Sequence, residues 1–215
     1  DHGLRGEESD GDRCFVQRLA AKLGCSCEVE KMDVAELAKD AGESIQLAAR
    51  RARHRFFARV AAFKNIPDVI LAHHADDQAE TIFVNLLRGS GLRGIAGMQS
   101  PKAMCVDNVS LVFHRPLLTV RRAAIRNSAA LRKIEFREDS SNASRHYLRN
   151  RVRHDLLPAA SEAADRDVVD AVVRLGTGLR DDVNFLDELV SEASVGARWG
   201  DGEDGALSVV ALRSL

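Results

Sequence analysis

The apolar run Val69–Ala72 (VILA) ends abruptly in HHADDQAET, His73–Thr81. Four apolar residues without polar alternation fit a strand buried on both faces, the kind found in parallel sheets. Parallel strands need crossover helices, and helical patterns flank this run on both sides. Ser44–Phe63 places Ile45, Ala48, Ala49, Ala52, Phe56 and Val60 on one stripe, and Asp76–Leu87 reads as a second helix. Further strands are expected over Cys27–Val34 and Val109–Phe113. Further helices are expected over Ser9–Leu23, with Cys14, Phe15, Leu19 and Leu23 on one face, and over Val120–Lys133, with a short helical turn at Ala35–Gly42. This order implies an α/β fold with a doubly wound, mostly parallel sheet, and ligands bind such sheets at the strand C-terminal ends. The polar cluster at His73 follows one of those ends.

With 45% hydrophobic residues, the 215-residue chain can bury a substantial core, and with only 5% aromatics aliphatic side chains must fill it. No run reaches the roughly 18–20 apolar residues of a membrane span, so no membrane partner is expected. The four cysteines, Cys14, Cys25, Cys27 and Cys105, contain no C-x-x-C pair. That argues against zinc and iron–sulfur sites and fits reduced thiols in a cytoplasmic protein.

The net charge of -1 hides a segregation of charge. Arg115–Asp155 holds 11 basic and 4 acidic residues, whereas Leu156–Leu215 holds 5 basic and 12 acidic ones. The basic block fits contact with a polyanion, or equally a solvated arginine-rich helix face. Beyond Arg149 the character changes. Asp165–Ala193 reads as one long amphipathic helix with a weak point at Gly176–Gly178, followed by an acidic turn, GARWGDGEDGA, and a last apolar run, LSVVALRSL.

The chemistry-bearing residues are concentrated in a few stretches. His74 and Asp77 are three apart across the strand–helix junction, and Asp76 and Glu80 are four apart. A helix N-terminus attracts anions, and carboxylates there can hold magnesium or simply cap the helix. RGSGLRG supplies Gly89, Gly91 and Gly94 beside Arg88 and Arg93, which suits either phosphate contact or a surface loop, and it lacks the Walker G-K-[ST] pattern. On AARRARHRFF, Arg50 and Arg53 share a helix face. The stretch EDSSNASRHYLRNRVRHDLLP carries Asn142, Arg149, Arg151 and Arg153, a composition suited to positioning RNA phosphates.

Taken in order, these stretches resemble the tRNA(Ile)-lysidine synthases, a family of N-type ATP pyrophosphatases that carry a PP-loop. The resemblance rests on DHGLR, AARRARHRFF, AHHADDQAET, NLLRGSGLRGIAGM, RPLL and EDSSNASRHYLRNRVRHDLLP, which together cover nearly all of Asp1–Pro158. It implies a catalytic domain over residues 1–158 and, over 159–215, a helical linker that starts a tRNA-binding region. It implies ATP-dependent ligation of free L-lysine to the 2-position of the wobble cytidine of tRNA(Ile) with a CAU anticodon. An adenylated tRNA is the intermediate, with AMP and pyrophosphate released. The resemblance places His74, Asp76, Asp77, Arg50 and Arg149 at the reaction centre. Arg53, Arg88, Gly89 and Gly91 contact ATP, and Arg115, Asn142, Arg149, Arg151 and Arg153 contact tRNA. Asp77 is the expected magnesium ligand, and a homodimer is among the assemblies implied. The family's S-G-G-x-D-S loop, expected before DHGLR, is not in this sequence, which is therefore expected to be part of a longer polypeptide. Two alternatives share these features: another PP-loop tRNA-modifying enzyme such as a thiolase, and a non-catalytic or truncated tRNA-binding protein.

Overall fold

A computed structural model describes residues 1–4, 6–139, 144–145, 147–199 and 206–207. The chain forms two compact units. The first comprises Asp1–Ala72, Ser100–Pro116 and Glu135–Glu138, and the second His73–Gln99, Leu117–Ile134 and Asp139–Leu215.

The first unit contains helices α1 (Glu7–Lys22), α2 (Val34–Ala41) and α3 (Ile45–Lys64) and strands β1 (Asp68–Ile70), β2 (Lys102–Val106) and β3 (Val109–His114). Local chemistry sets their limits. The Asp33 side chain accepts from Glu36 N–H at the start of α2, and Gly42 ends it in the left-handed conformation. Ser44 caps α3 by accepting from Leu47 N–H. The sheet order is β1-β3-β2, with β1 and β3 parallel and β2 and β3 antiparallel. β2 was not expected from the sequence. It is half of a hairpin whose two-residue turn, Asp107–Asn108, has positive φ at both positions, the geometry that suits the right-handed twist of a hairpin.

Four expectations for this unit need correction. Cys27–Val34 is extended but not a strand. Its hydrogen bonds go to the first residues, with Asp1 N donating to Glu30 O and Met32 N to Asp1 O, and this pairing is too short to build a ladder. β1 is not buried on both faces: Val69 packs with Leu111 and Phe113, whereas Ile70 is 74% exposed. The helix predicted over Ser9–Leu23 forms as α1, but none of its residues is buried. The buried stripe of α3 is made of Ala48, Ala52, Ala58 and Ala61 rather than the larger Ile45, Phe56 and Val60. Alanine lets the helix axis approach the sheet around Leu111 and Phe113 closely.

The second unit is helical apart from a two-stranded pair, β4 (Arg198–Trp199) with β5 (Ala206–Leu207). Its helices are α4 (Ala75–Leu87), α5 (Leu92–Ile95), α6 (Arg122–Leu131), α7 (Leu148–Arg151), α8 (Leu157–Ala163) and α9 (Val169–Ala197). A π-helical turn, Val152–Leu156, joins α7 to α8. Ala79, Val84, Val152, Leu157 and Val169 form the core. The expected glycine-rich loop Arg88–Met98 contains α5. The expected weak point of the long helix, Gly176–Gly178, is unbroken helix. A Cβ on Gly176 would come within 2.5 Å of Ile82 Cδ1 and 3.4 Å of Ala96 O, so the glycine marks close helix packing rather than a break. No helix among the described residues is long and apolar enough to cross a membrane.

Candidate functional site

The second unit gathers charged side chains at the N-terminus of α4. His74 is the N-cap: its Nδ1 accepts from Asp77 N–H at 3.3 Å, and Asp77 Oδ2 accepts from His74 N–H at 3.0 Å. This reciprocal capping box fixes both side chains. It also leaves Asp77 Oδ1 to accept from Arg149 Nη2 at 2.8 Å, with Arg153 Nη2 3.6 Å away.

One turn along α4, Glu80 is buried, with its side chain 2% exposed. It accepts from Arg149 Nε at 2.7 Å and takes a two-point contact from Arg153, Nε at 2.6 Å and Nη2 at 3.0 Å. Arg149 and Arg153 are four apart on α7 and the π turn and therefore reach the same carboxylate. Burial opposes the charge on Arg153, but Glu80, Asp77 and Asp76 together hold it more firmly protonated.

Asp76 faces a different partner. It accepts from Arg122 N–H at 2.8 Å and from both Nε and Nη2 of Arg121. Arg121 also donates to Asp167 at 2.7 Å and to Asp170 at 3.2 Å, so one guanidinium ties the starts of α4 and α9 together. Burial would raise the Asp76 carboxyl. The Arg122 N–H and the Arg121 guanidinium outweigh it and hold the group below the ordinary carboxylate range. Arg121 does the same to Asp167. Carboxyls with depressed values add stability above their unfolded value, near pH 4, and that stability is lost as pH falls through the folded value. Arg121→Ala should therefore flatten the fall in thermal midpoint below about pH 4, and should lower the midpoint at pH 7 by the equivalent of about 1 kcal/mol. Thermal melts from pH 2.5 to 7 check both expectations.

The magnesium expected on Asp77 does not fit this arrangement. Both carboxylate oxygens already accept from an N–H donor, and two guanidinium groups lie within 3.6 Å. A divalent cation there would sit among like charges.

The remaining expected residues fall elsewhere. Arg88 and Gly89 cap the C-terminal end of α4. At 1.5 Å per residue, that end is about 16 Å along the helix from Asp77. Gly91 starts α5, beside a cleft lined by Leu92, Gly94, Val183 and Leu186, with an Arg93–Asp187 ion pair at its edge. Arg151 is exposed on α7, and Asn142 lies outside the described residues. In the first unit, Arg50, Arg53 and Arg115 are neighbours, and all three act electrostatically on His54.

Sequence reasoning noted the Asp76–Glu80 spacing but gave Glu80 no role, and it did not single out Arg121. Glu80 lies one turn from Asp76 and Asp77 on the same helix, and that spacing was the available signal. Arg121 had none, because its partners at residues 76, 167 and 170 are distant in sequence.

Residues 1–160 match the family model for the PP-loop domain. The chain belongs to the PP-loop domain family. Among curated relatives of this PP-loop chain are proteins named tRNA(Ile)-lysidine synthase. One from Geobacter sulfurreducens is 38% identical over 89% of this chain and 39% of its own length. Those from Clostridium tetani and Geobacillus kaustophilus are 32% and 34% identical over 86% and 97% of this chain, and 38% and 44% of their own lengths. The chain thus spans about two fifths of the length of these relatives. The U34-tRNA thiolase NcsA from Methanococcus maripaludis, solved with its [4Fe-4S] cluster, superposes with a TM-score of 0.63 at 15% identity, covering 83% of this chain and 60% of that one. That likeness supports the α/β PP-loop fold.

Proposed function

We propose that this chain belongs to an enzyme that joins free L-lysine to the 2-position of the wobble cytidine in tRNA(Ile) bearing a CAU anticodon. The observation that carries the proposal is the Asp77–Glu80 pair bound by Arg149 and Arg153 at the capped start of α4. The curated relatives named for this activity support it. ATP adenylates the 2-carbonyl oxygen of the cytidine and pyrophosphate leaves. The lysine side-chain amine then attacks C2 and AMP departs.

Arg149, the more exposed of the two arginines, turns from Asp77 Oδ1 toward the AMP phosphate. The lysine ammonium takes its place there and gives Asp77 its proton, so that the free amine can attack. His74 holds Asp77 in place through the capping box. Arg149 then meets negative charge as it develops on the departing AMP. In the first unit, Arg50 and Arg53 hold the ATP phosphates. Arg115, Arg151 and Asn142 meet the tRNA. Magnesium comes as the counter-ion of ATP rather than as an ion resident on Asp77. Residues 1–158 form the catalytic part and 159–215 lead toward a tRNA-binding region, in a cytoplasmic protein.

Asp77→Ala is expected to slow lysine transfer by roughly a hundredfold, the scale of a lost general base. Labelled lysine incorporated into tRNA(Ile), with circular dichroism as the fold control, measures it. Transfer at the parent rate by a folded variant would refute the assignment.

A further inference from the structure

The first unit carries a cluster of cations built around an aromatic floor. Phe113 is buried on β3, and the His54 ring lies over it with centroids 5.3 Å apart. The Arg115 guanidinium carbon is 5.9 Å from the Phe113 centroid, and the Arg115 backbone N–H is pinned to Ser100 Oγ at 2.7 Å. Lys102 stands opposite Phe113 in the β2–β3 register. Arg50 precedes His54 by one turn of α3, and Arg53 adjoins it. Gathering four cations around one imidazole is unfavourable in isolation, and an anion placed among them reverses the balance.

We propose that Arg50, Arg53, His54, Lys102 and Arg115 form one phosphate-binding site, in which His54 takes up a proton from solvent as the phosphate group binds. This deepens the proposed function, which gives Arg50 and Arg53 to ATP phosphates and Arg115 to tRNA, and rests on it only for the source of the phosphate. His54 and Lys102 are the added members.

The electrostatics agree with the geometry. Burial, followed by Arg50, Arg53, Arg115 and Lys102, brings His54 down to about 4, so its imidazole is neutral at pH 7. These charged groups come from α3, β2 and the residue beyond β3. A phosphate within about 4–6 Å supplies the opposite field and should raise the imidazole by about one to three pH units. Either nitrogen of the protonated ring can then donate to a phosphate oxygen. Phosphate affinity must therefore rise as pH falls, by linkage.

The test is a pH titration of the histidine ring signals of the full chain by NMR. His54→Gln assigns the signal, and His54→Tyr, which keeps a flat ring over Phe113, replaces it if the first variant does not fold. The titration is run alone, with inorganic tripolyphosphate, and with a five-nucleotide single-stranded RNA. The His54 midpoint should rise by more than about one pH unit with at least one probe. Relative to the variant, the parent should bind that probe more tightly at pH 5.5 than at pH 7.5, by about 1.3-fold for a one-unit rise and about fourfold for a two-unit rise. A rise with tripolyphosphate alone identifies a nucleotide phosphate, and a rise with RNA alone identifies a backbone phosphate. An unmoved midpoint with both probes would overturn the proposal. A rise in a protein that transfers no lysine would leave this site standing while the proposed function fell.

Discussion

Replacing Glu80 with alanine is expected to destabilise the chain by about 3–4 kcal/mol, the scale for removing one partner from a buried ion-pair network. Glu80 is the buried centre of three hydrogen bonds from Arg149 and Arg153. Without it, Arg153 still has Asp77 3.6 Å away but loses its two-point carboxylate contact. Arg149 is more exposed and can turn toward water, which limits the loss. Arg149→Ala should accordingly cost much less, about 1 kcal/mol, because Glu80 keeps its two-point contact with Arg153. Urea unfolding of both variants checks the order. Equal losses would mean that Glu80 is not the centre of the cluster.

A comparable loss is expected from Gly97→Ala, about 3 kcal/mol. Gly97 has φ +74, a conformation that costs an L-residue about 1 kcal/mol or more. The added Cβ would also lie 2.6 Å from Gln78 Nε2 and 2.9 Å from its Cδ. Gln78 cannot step aside cheaply. It is buried, donates to Met98 O at 3.2 Å and accepts from Met98 N–H at 2.8 Å. Arg180 on α9 donates to the carbonyls of Ala96 and Met98 at 3.0 and 2.9 Å, fixing the same loop from another side. Overpacking of this kind adds about 1–3 kcal/mol to the backbone term. Thermal and urea unfolding measure the total. Gly91→Ala is the matched control, because Gly91 has φ -69 and open space around its Cβ.

The helices were legible because their signals are local. The spans Ser44–Phe63 and Ala35–Gly42 read from the sequence fall within a residue of α3 and α2. The chemistry at His74 and Asp77 was legible for the same reason, since a capping box joins residues three apart. Strand pairing is set by partners far away in sequence, and there the pattern misled. Cys27–Val34 alternates well, yet its backbone bonds among the described residues go to Asp1 and His2 rather than to a strand, whereas β2 was hidden beside a two-residue turn. The arginine-rich block shows the same limit. Composition alone left it open between a polyanion surface and a solvated face. In the fold, Arg121, Arg149 and Arg153 turn to Asp76, Asp77, Glu80, Asp167 and Asp170, carboxylates of the same unit. Net charge per segment could not reveal that pairing, because all five of these carboxylates lie outside the segment.

The central claim is lysine transfer to tRNA. The most direct measurement is incorporation of labelled L-lysine into a tRNA(Ile) transcript with a CAU anticodon, using the polypeptide as the cell makes it. A transcript with a CAU-to-GAU change serves as the control. The account predicts incorporation that requires ATP, yields AMP and pyrophosphate in equal amounts, and fails with the control transcript. ATP-dependent modification of the transcript without lysine, or tRNA binding with no modification at all, would contradict it.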